Sequence, residues 1–266
     1  MNKLNENIFQ QYNKWKKNYI RKENSIKFRL NNFLDRNPLY RDKLSISKDG
    51  NRVNCSGNIY IYDEDLIDAK FPFPFGTVYG DFNCDSCREL ISLEGAPEEV
   101  RGSFFCSKCS KLTSLVGAPE KVEWDFYCYK CNSLISLEGV PKEIGGNFES
   151  YSCPNLISLV GAPEKVGGDF KCTYCNNLTS LEGAPKEVGK SFLCYECDNL
   201  ISLEGAPKEV GRSFLCNSCP NLTSLVGAPE KVGWDFSCIR CTSLTSLEGA
   251  PKEVGRQFYT SMVQTL

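Results

Sequence analysis

Histidine is absent from this 266-residue chain. Without an imidazole the chain can form neither a Ser-His-Asp nor a Cys-His catalytic group, and it has no histidine metal ligand. It also lacks the one side chain whose ordinary pKa lies near neutrality. These absences disfavour an enzyme, so we expect a non-enzymatic protein that uses no cofactor.

Long apolar runs are missing as well. The first residues, MNKLNENIFQQYNKWKKN, lack the apolar core of a signal peptide, and no run of about 18 apolar residues could span a bilayer. We therefore expect a cytoplasmic protein without a membrane partner, in which thiols stay reduced.

Charge is distributed unevenly along the chain. Residues 1–48 hold 12 Lys and Arg against 4 Asp and Glu, a net charge of +8, whereas the remaining residues carry a net −10. One basic end and one acidic body indicate two modules with different surfaces.

The most regular feature is an internal repeat of 22 residues, which reads F-x-C-x-x-C-x-x-L-x-S-L-x-G-A-P-x-x-V. A fixed period of this length is the signature of a solenoid, in which each unit forms one coil. Residues 80–266 hold eight full units and a ninth that is broken off. The first position of the unit is occupied by Phe82, Phe104, Phe126, Phe148, Phe170, Phe192, Phe214, Phe236 and Phe258.

A degenerate unit over residues 47–79 precedes these repeats, as terminal repeats of solenoids are usually atypical. Val53 and Cys55 predict one further strand there, and one extra residue stands before Val78. The counterparts of the Phe, first Cys, Leu and Pro positions are Ile59, Ile61, Ile67 and Pro74.

The pattern V-x-x-x-F-x-C-x-x-C-x-x-L-x-x-L resembles the leucine-rich repeat, L-x-x-L-x-L-x-x-N/C-x-L, with one extra residue after the second Cys position. The 22-residue length and the G-A-P segment are similar to the short bacterial and phage type of that family. The resemblance covers about residues 53–266. It implies a repeat solenoid with a curved parallel β-sheet, one short strand per coil and a mostly non-helical back face. It also implies an interaction surface, usually for another protein.

Of the 16 cysteines, all but Cys55 follow the repeat in two columns. Cys84-x-x-Cys87 and Cys106-x-x-Cys109 have the spacing of a four-thiolate zinc site. Every coil carries the same pair, however, and free cysteine behaves as a small buried hydrophobe. We therefore expect a reduced, buried ladder without stoichiometric metal, in which the second Cys bonds to the backbone of the neighbouring coil. A thiol- or metal-binding function is the alternative.

The residues after Phe and after the first Cys should point away from the core, because alternate strand residues face opposite sides. These positions vary between coils and are rich in aromatic side chains, which is typical of protein-binding surfaces. Cross-strand stacking that only stabilises the sheet is the alternative. We expect a protein partner on this concave face, bound by Phe105, Trp124, Tyr127, Tyr129, Tyr151, Lys171, Tyr174, Leu193, Tyr195, Leu215, Ile239 and Arg240.

Residues 1–46 predict a basic helical module that caps the solenoid. Ile8, Tyr12, Trp15 and Tyr19 have helical spacing and are expected to be core, and a second helix through Ile26, Leu30 and Phe33 should end before Pro38. A solvated basic helix face is the plain interpretation, and nucleic-acid binding is the alternative function. The basic residues are Lys14, Lys16, Lys17, Arg21, Lys22, Lys27 and Arg29.

The last coil departs from the repeat. Phe258 and Leu266 keep it, but Thr260 and Val263 replace the cysteines and the chain stops within the coil. An uncapped solenoid end exposes strand edge and apolar side chains. We therefore expect either a longer protein or an end that packs on a partner or on a second copy, the latter by end-to-end self-association.

Overall fold

The computed structural model describes residues 10, 12–14, 16–17 and 25–261. A helix spans Ile26–Arg36, and Ser25 caps it by accepting a hydrogen bond from the Phe28 N–H at 3.3 Å. Leu30 and Phe33 are its buried residues, and the Phe33 ring packs edge-on against Phe73 at 5.4 Å. The predicted second helix is thereby confirmed, with its apolar side against the first coils. Two short 3₁₀ turns follow, at Pro38–Tyr40 and Asp63–Asp65.

The rest of the chain is a β-solenoid with a repeat of about 22 residues, as the sequence predicted. Its strands form two sheets, which we call the Val sheet and the Phe sheet. The Val sheet has 11 strands: Leu44–Ile46, Val53–Cys55, Phe75–Val78, Glu99–Val100, Lys121–Val122, Glu143–Ile144, Lys165–Val166, Glu187–Val188, Glu209–Val210, Lys231–Val232 and Glu253–Val254. The Phe sheet has 10 strands: Ile59–Tyr60, Phe82–Asn83, Phe104–Phe105, Phe126–Tyr127, Phe148–Glu149, Phe170–Lys171, Phe192–Leu193, Phe214–Leu215, Phe236–Cys238 and Phe258–Thr260.

Each full coil thus carries two short strands rather than the single strand that we expected. The reason lies in the direction of the backbone hydrogen bonds. The N–H of Gly102 donates back to Gly80 of the preceding coil, whereas the N–H of Phe104 donates forward to Asp125 of the following coil. The chain bends where this direction reverses, so one sheet ends and the other begins. The paired strands are parallel, except that Leu44–Ile46 joins Val53–Cys55 antiparallel.

A polar ladder marks this bend, and the sequence analysis missed it. The residue before each Phe is Asp, Asn, Ser or Gln, and in most coils its side-chain oxygen accepts the N–H of its counterpart in the next coil. The Asp125 carboxylate accepts from Asn147 at 2.6 Å, and the Asn147 amide oxygen accepts from Asp169 at 2.8 Å. These side chains satisfy backbone donors that the bend removes from the sheets.

The core consists of stacked columns of identical side chains. From Phe82 to Phe258, successive phenylalanine rings lie 5.0–5.5 Å apart, centroid to centroid. The Val, Leu and Cys positions form parallel columns that are almost fully buried. Because each residue meets its own copy above and below, a residue that fits one coil fits the next.

The G-A-P segment requires glycine at the turn that follows the second Leu. Gly161 has φ +91°, and a Cβ there would lie 2.5 Å from the Glu138 backbone nitrogen of the preceding coil. A side chain would therefore face both an unfavourable backbone conformation and a collision with the neighbouring coil.

The degenerate N-terminal unit is partly as predicted. Ile59 pairs with Phe82 in the Phe sheet, and Val53–Cys55 forms the expected strand, with a register shift that absorbs the extra residue. Ile67 does not occupy a core position, since it is 40% exposed and bridges to Lys70 in a tight turn. Leu66 beside it packs against the core instead.

Lysines and glutamates that follow the prolines form ion pairs between neighbouring coils. Lys121 contacts Glu99 at 3.0 Å and Lys186 contacts Glu164 at 2.9 Å, and of these four side chains only Glu99 is mostly shielded from solvent. Solvent screening leaves such surface pairs little effect on stability. Within the described part of the chain, no helix is both long and apolar enough to cross a membrane.

Candidate functional site

The two cysteine columns lie inside the solenoid, and all 16 thiols are free and buried. Each second Cys sits one residue after a turn residue with positive φ, such as Lys130 at 56° or Tyr174 at 57°. This turn directs the thiol to the backbone of the preceding coil. Cys175, for example, donates to the Ser150 carbonyl at 3.3 Å, and the same bond recurs at 3.1–3.4 Å from Cys87, Cys109, Cys131, Cys153, Cys197, Cys219 and Cys241.

Burial also raises the pKa of most of these thiols, whereas a hydrogen bond with Cys216 lowers the pKa of Cys241. Burial raises the pKa of Cys153 and Cys197 to about 12 and that of Cys84 well above its ordinary value. Thiols of this kind are poor nucleophiles near neutral pH, because the thiolate is the reactive form. In residues 25–261 and the helical fragments before them, no group of three or more His, Cys, Asp or Glu side chains is arranged to hold a metal.

The residues after Phe form an in-register row on the outer side of the Phe sheet. Phe105 pairs with Tyr127, Tyr127 with Glu149, and Glu149 with Lys171; Leu193 and Leu215 continue the row. These side chains are half-buried, unlike the fully buried Phe residues that precede them. The predicted alternation of inward and outward residues is therefore present. We call this row, together with the residues after the first Cys, the outward face.

Four of the expected binding residues come together in one aromatic cluster. Phe105 stacks on Tyr127 at 5.0 Å, and Tyr127 meets Tyr129 edge-on at 6.4 Å. Tyr129 stacks on Tyr151 at 4.6 Å with the rings 6° from parallel. The cluster borders a shallow cavity of about 360 Å³ that Asn83, Asp85 and Glu149 also line.

The charged side chains beside this cluster form ion pairs or hydrogen bonds with their neighbours. Lys171 contacts Glu149 at 2.7 Å. Burial lowers the pKa of this lysine, but the hydrogen bond to Glu149 and the negative charges of Glu149 and Asp169 together outweigh burial and raise it. The Tyr127 hydroxyl donates to Asp125 at 2.9 Å, and burial together with this bond raises the Tyr127 pKa to about 12. Burial raises the pKa of Asp85, although the Ser107 N–H bonds to its carboxylate. The cluster therefore presents aromatic surface with largely compensated charge.

The other expected residues lie elsewhere on the surface. Tyr174 and Tyr195 form a separate edge-on pair at 5.8 Å, and the Tyr174 hydroxyl donates to Glu196. Ile239 and Arg240 are exposed near the last described coil. Trp124 is 64% exposed in the bend between the two strands of its coil, and no ring contact joins it to the cluster in the described residues. The expected site is thus one cluster with several separate neighbours.

A cation–π group was not predicted. The Trp234 ring lies between the guanidinium groups of Arg212 and Arg256, at 4.5 and 4.0 Å from its centroid. These residues are 22 apart along the chain, in the column that also contains Trp124. The repeat period could have revealed the group, since column neighbours are spatial neighbours.

The basic residues of the N-terminal module are described only in part. Lys14, Lys16 and Lys17 are helical and exposed, and Lys27 is exposed on the helix Ile26–Arg36. Arg29 differs from them, because its Nε atom is shielded from solvent. Arg21 and Lys22 lie outside the described residues. Of the expected aromatic stripe, Tyr12 is 52% exposed, and Ile8, Trp15 and Tyr19 also lie outside.

No protein-family model, curated protein or solved structure matches this chain. What defines the chain is therefore its own architecture, a cysteine-rich parallel β-solenoid of 22-residue coils.

Proposed function

We propose that this chain is a non-enzymatic scaffold of the leucine-rich repeat type, which binds a partner protein through the concave side of its solenoid. The observation that carries the proposal is the aromatic cluster on the outward face. Phe105, Tyr127, Tyr129 and Tyr151 share one surface across consecutive coils.

The contrast between the two sides of one strand supports a binding role. The inward positions repeat one residue type, because each copy packs on its neighbour, whereas the outward positions change from Asn83 to Phe105, Tyr127 and Glu149. Half-buried aromatic rings offer a large contact area at low cost in conformational entropy, and such residues dominate protein-binding hot spots.

The leucine-rich repeat assignment rests on the resemblance of the unit and on the geometry of the second Cys. In that family an Asn or Cys at this position bonds to the neighbouring coil, and here Cys131 donates to the Cys106 carbonyl at 3.2 Å. The two strands per coil are a difference from the expected single strand.

The test compares capture of a partner from the native host's lysate by three immobilised proteins. They are the intact chain, a face variant with Tyr129→Ser and Tyr151→Ser, and a control variant with Ile135→Ser and Ile157→Ser. The control replaces exposed apolar residues away from the cluster, 52% and 60% exposed. Circular dichroism and urea unfolding must first show that all three are folded.

A partner that the intact and control proteins capture, and the face variant does not, supports the proposal. Equal capture by all three proteins contradicts it, because the cluster would then only stabilise the sheet.

Nucleic-acid binding is the second candidate, and the exposed Lys14, Lys16 and Lys17 favour it. Binding of this kind should weaken steeply with salt and be lost when these three lysines are changed to glutamine. A fluorescence polarisation titration with single- and double-stranded oligonucleotides at 50 and 200 mM salt tests this, and absence of binding at low salt excludes it.

A further inference from the structure

A cleft of about 700 Å³ separates the helix Ile26–Arg36 from the first coils. One wall is apolar and includes Phe28, Phe71, Phe73 and Pro74. A cleft of this size is within the range of pockets that hold small molecules, about 300–1,000 Å³.

Arg29 lines the same cleft, and the Nε atom of its guanidinium group lacks a hydrogen-bond partner. Its Nε atom is shielded from solvent and makes no hydrogen bond, and no ion pair involves Arg29 among the described residues. A buried donor without an acceptor is destabilising, and such groups in a fold call for an explanation.

The other charges of the cleft are already compensated or solvated. Arg52 contacts Glu98 at 2.8 Å and donates to the Phe75 carbonyl, and Lys70 contacts Glu94 at 2.9 Å. Asp68 is exposed at the rim, in the tight turn between Ile67 and Lys70, with φ 50°. Among the described residues, Arg29 is therefore the one cationic side chain of the cleft that forms no ion pair.

We propose that this cleft binds a small organic oxyanion, a carboxylate or phosphate group attached to a flat apolar body. The oxygens of the anion accept hydrogen bonds from the Arg29 guanidinium, whose planar fork matches carboxylate and phosphate geometry. The apolar body packs on the wall formed by Phe28 and its neighbours. The site uses none of the residues of the outward face, so it is independent of the proposed protein-binding function.

The test uses benzoate and phenyl phosphate as probes and benzamide as the uncharged control. Isothermal titration calorimetry with the full chain should detect saturable binding of at least one anion and none of benzamide at the same concentration. The preference between the two anions distinguishes a carboxylate from a phosphate ligand. Arg29→Leu should weaken binding about tenfold or more, since it removes charge-assisted hydrogen bonds. Lys27→Leu, on the exposed side of the same helix, should leave the affinity unchanged.

A thermal melt of the ligand-free variants checks separately that the Arg29 Nε atom has no stabilising partner. Arg29→Leu should melt no lower than the unmodified protein, because the group that it removes has no partner to lose. Absence of binding of both anions at 10 mM, equal binding of benzamide, full affinity of Arg29→Leu, or a ligand-free melting temperature several degrees lower would each overturn the proposal.

Discussion

The inward and outward sides of the Phe sheet differ by a single residue along the chain. Phe192 is completely buried between Phe170 and Phe214, whereas Leu193 is half-buried on the other side. The inward side repeats because each side chain packs on its own copy, and a change would have to fit two neighbours at once. The outward side is free of that constraint, and so its residues can differ between coils.

The cysteines extend the same contrast. The thiols of the second column donate to carbonyls of the preceding coil, in the turn that follows the Phe strand. At Ser150 no backbone N–H donates to that carbonyl among the described residues, so the Cys175 thiol is its donor. Their role is therefore to satisfy the backbone of a tight coil. The experiments below test how far the two sides differ.

Alkaline pH should have the largest effect on the inward side. Thiols ionise near 9.0 in the unfolded chain, whereas burial raises the pKa of Cys153 and Cys197 to about 12. Between these values the folded state binds more protons than the unfolded state, so stability is complete below pH 9 and falls as pH rises towards 12. Each of these two thiols lowers the free energy of unfolding by up to about 1.4 kcal/mol per pH unit above pH 9. The decrease for both is about 4 kcal/mol by pH 10.5. Urea midpoints at pH 7, 9 and 10.5 measure this, and a midpoint that stays constant to pH 10.5 contradicts it.

Substitutions at two adjacent residues, one inward and one outward, compare how much each side of the sheet contributes to stability. Phe192→Ala should reduce the free energy of unfolding by about 3–5 kcal/mol, because it leaves a cavity in the ring column. Leu193→Ala should cost about 1 kcal/mol or less, since that side chain is half-exposed and leaves no closed cavity. Urea denaturation followed by circular dichroism gives both values. Equal decreases in the free energy of unfolding for the two variants would show that the outward row is also part of the core.

Removal of one inward thiol should have an intermediate effect. Cys175→Ala leaves the Ser150 carbonyl without its donor and should cost about 1–2 kcal/mol. Cys172→Ser is the control, because Ser150 already occupies that column and its hydroxyl donates to the Lys171 carbonyl. A larger decrease in the free energy of unfolding for Cys172→Ser than for Cys175→Ala would contradict the assigned role of the second column.

The smallest effect is expected for the stacked outward pair. A double-mutant cycle of Tyr129→Ser and Tyr151→Ser should give a coupling free energy of about 0.5–1.5 kcal/mol, the usual value for an aromatic pair. A coupling above about 3 kcal/mol would mean that the pair serves stability, which would weaken the case for binding.

Most of the solenoid could be predicted from the sequence because a repeat multiplies one local signal many times. The Phe, Leu, Val and Cys columns follow from the period, and so does the alternation of inward and outward residues. The second strand of each coil could not be predicted, since V-x-x-x-F fits one strand as well as two. The reversal of hydrogen bonding between Gly102 and Phe104 decides it, and that reversal is a property of stacked coils.

The candidate sites, too, could be predicted from the sequence only in part. Sequence reasoning selected Phe105, Tyr127, Tyr129 and Tyr151 as exposed aromatics, but only the stacked coils unite them in one cluster and leave Trp124 apart. It also placed Arg29 among the surface basic residues. The packing of the helix Ile26–Arg36 on the first coils buries the Arg29 Nε atom beside a cleft with one apolar wall.

The sequence by itself determined the period, the residue types of the core and the positions free to vary, because every coil must fit its own copy. The tertiary structure decided which outward positions lie next to one another and which thiol donates to which carbonyl. It also decided that the Arg29 Nε atom is left without a partner. Those properties depend on distances between neighbouring coils and on how the first coil packs against the helix, and neither is encoded within one repeat.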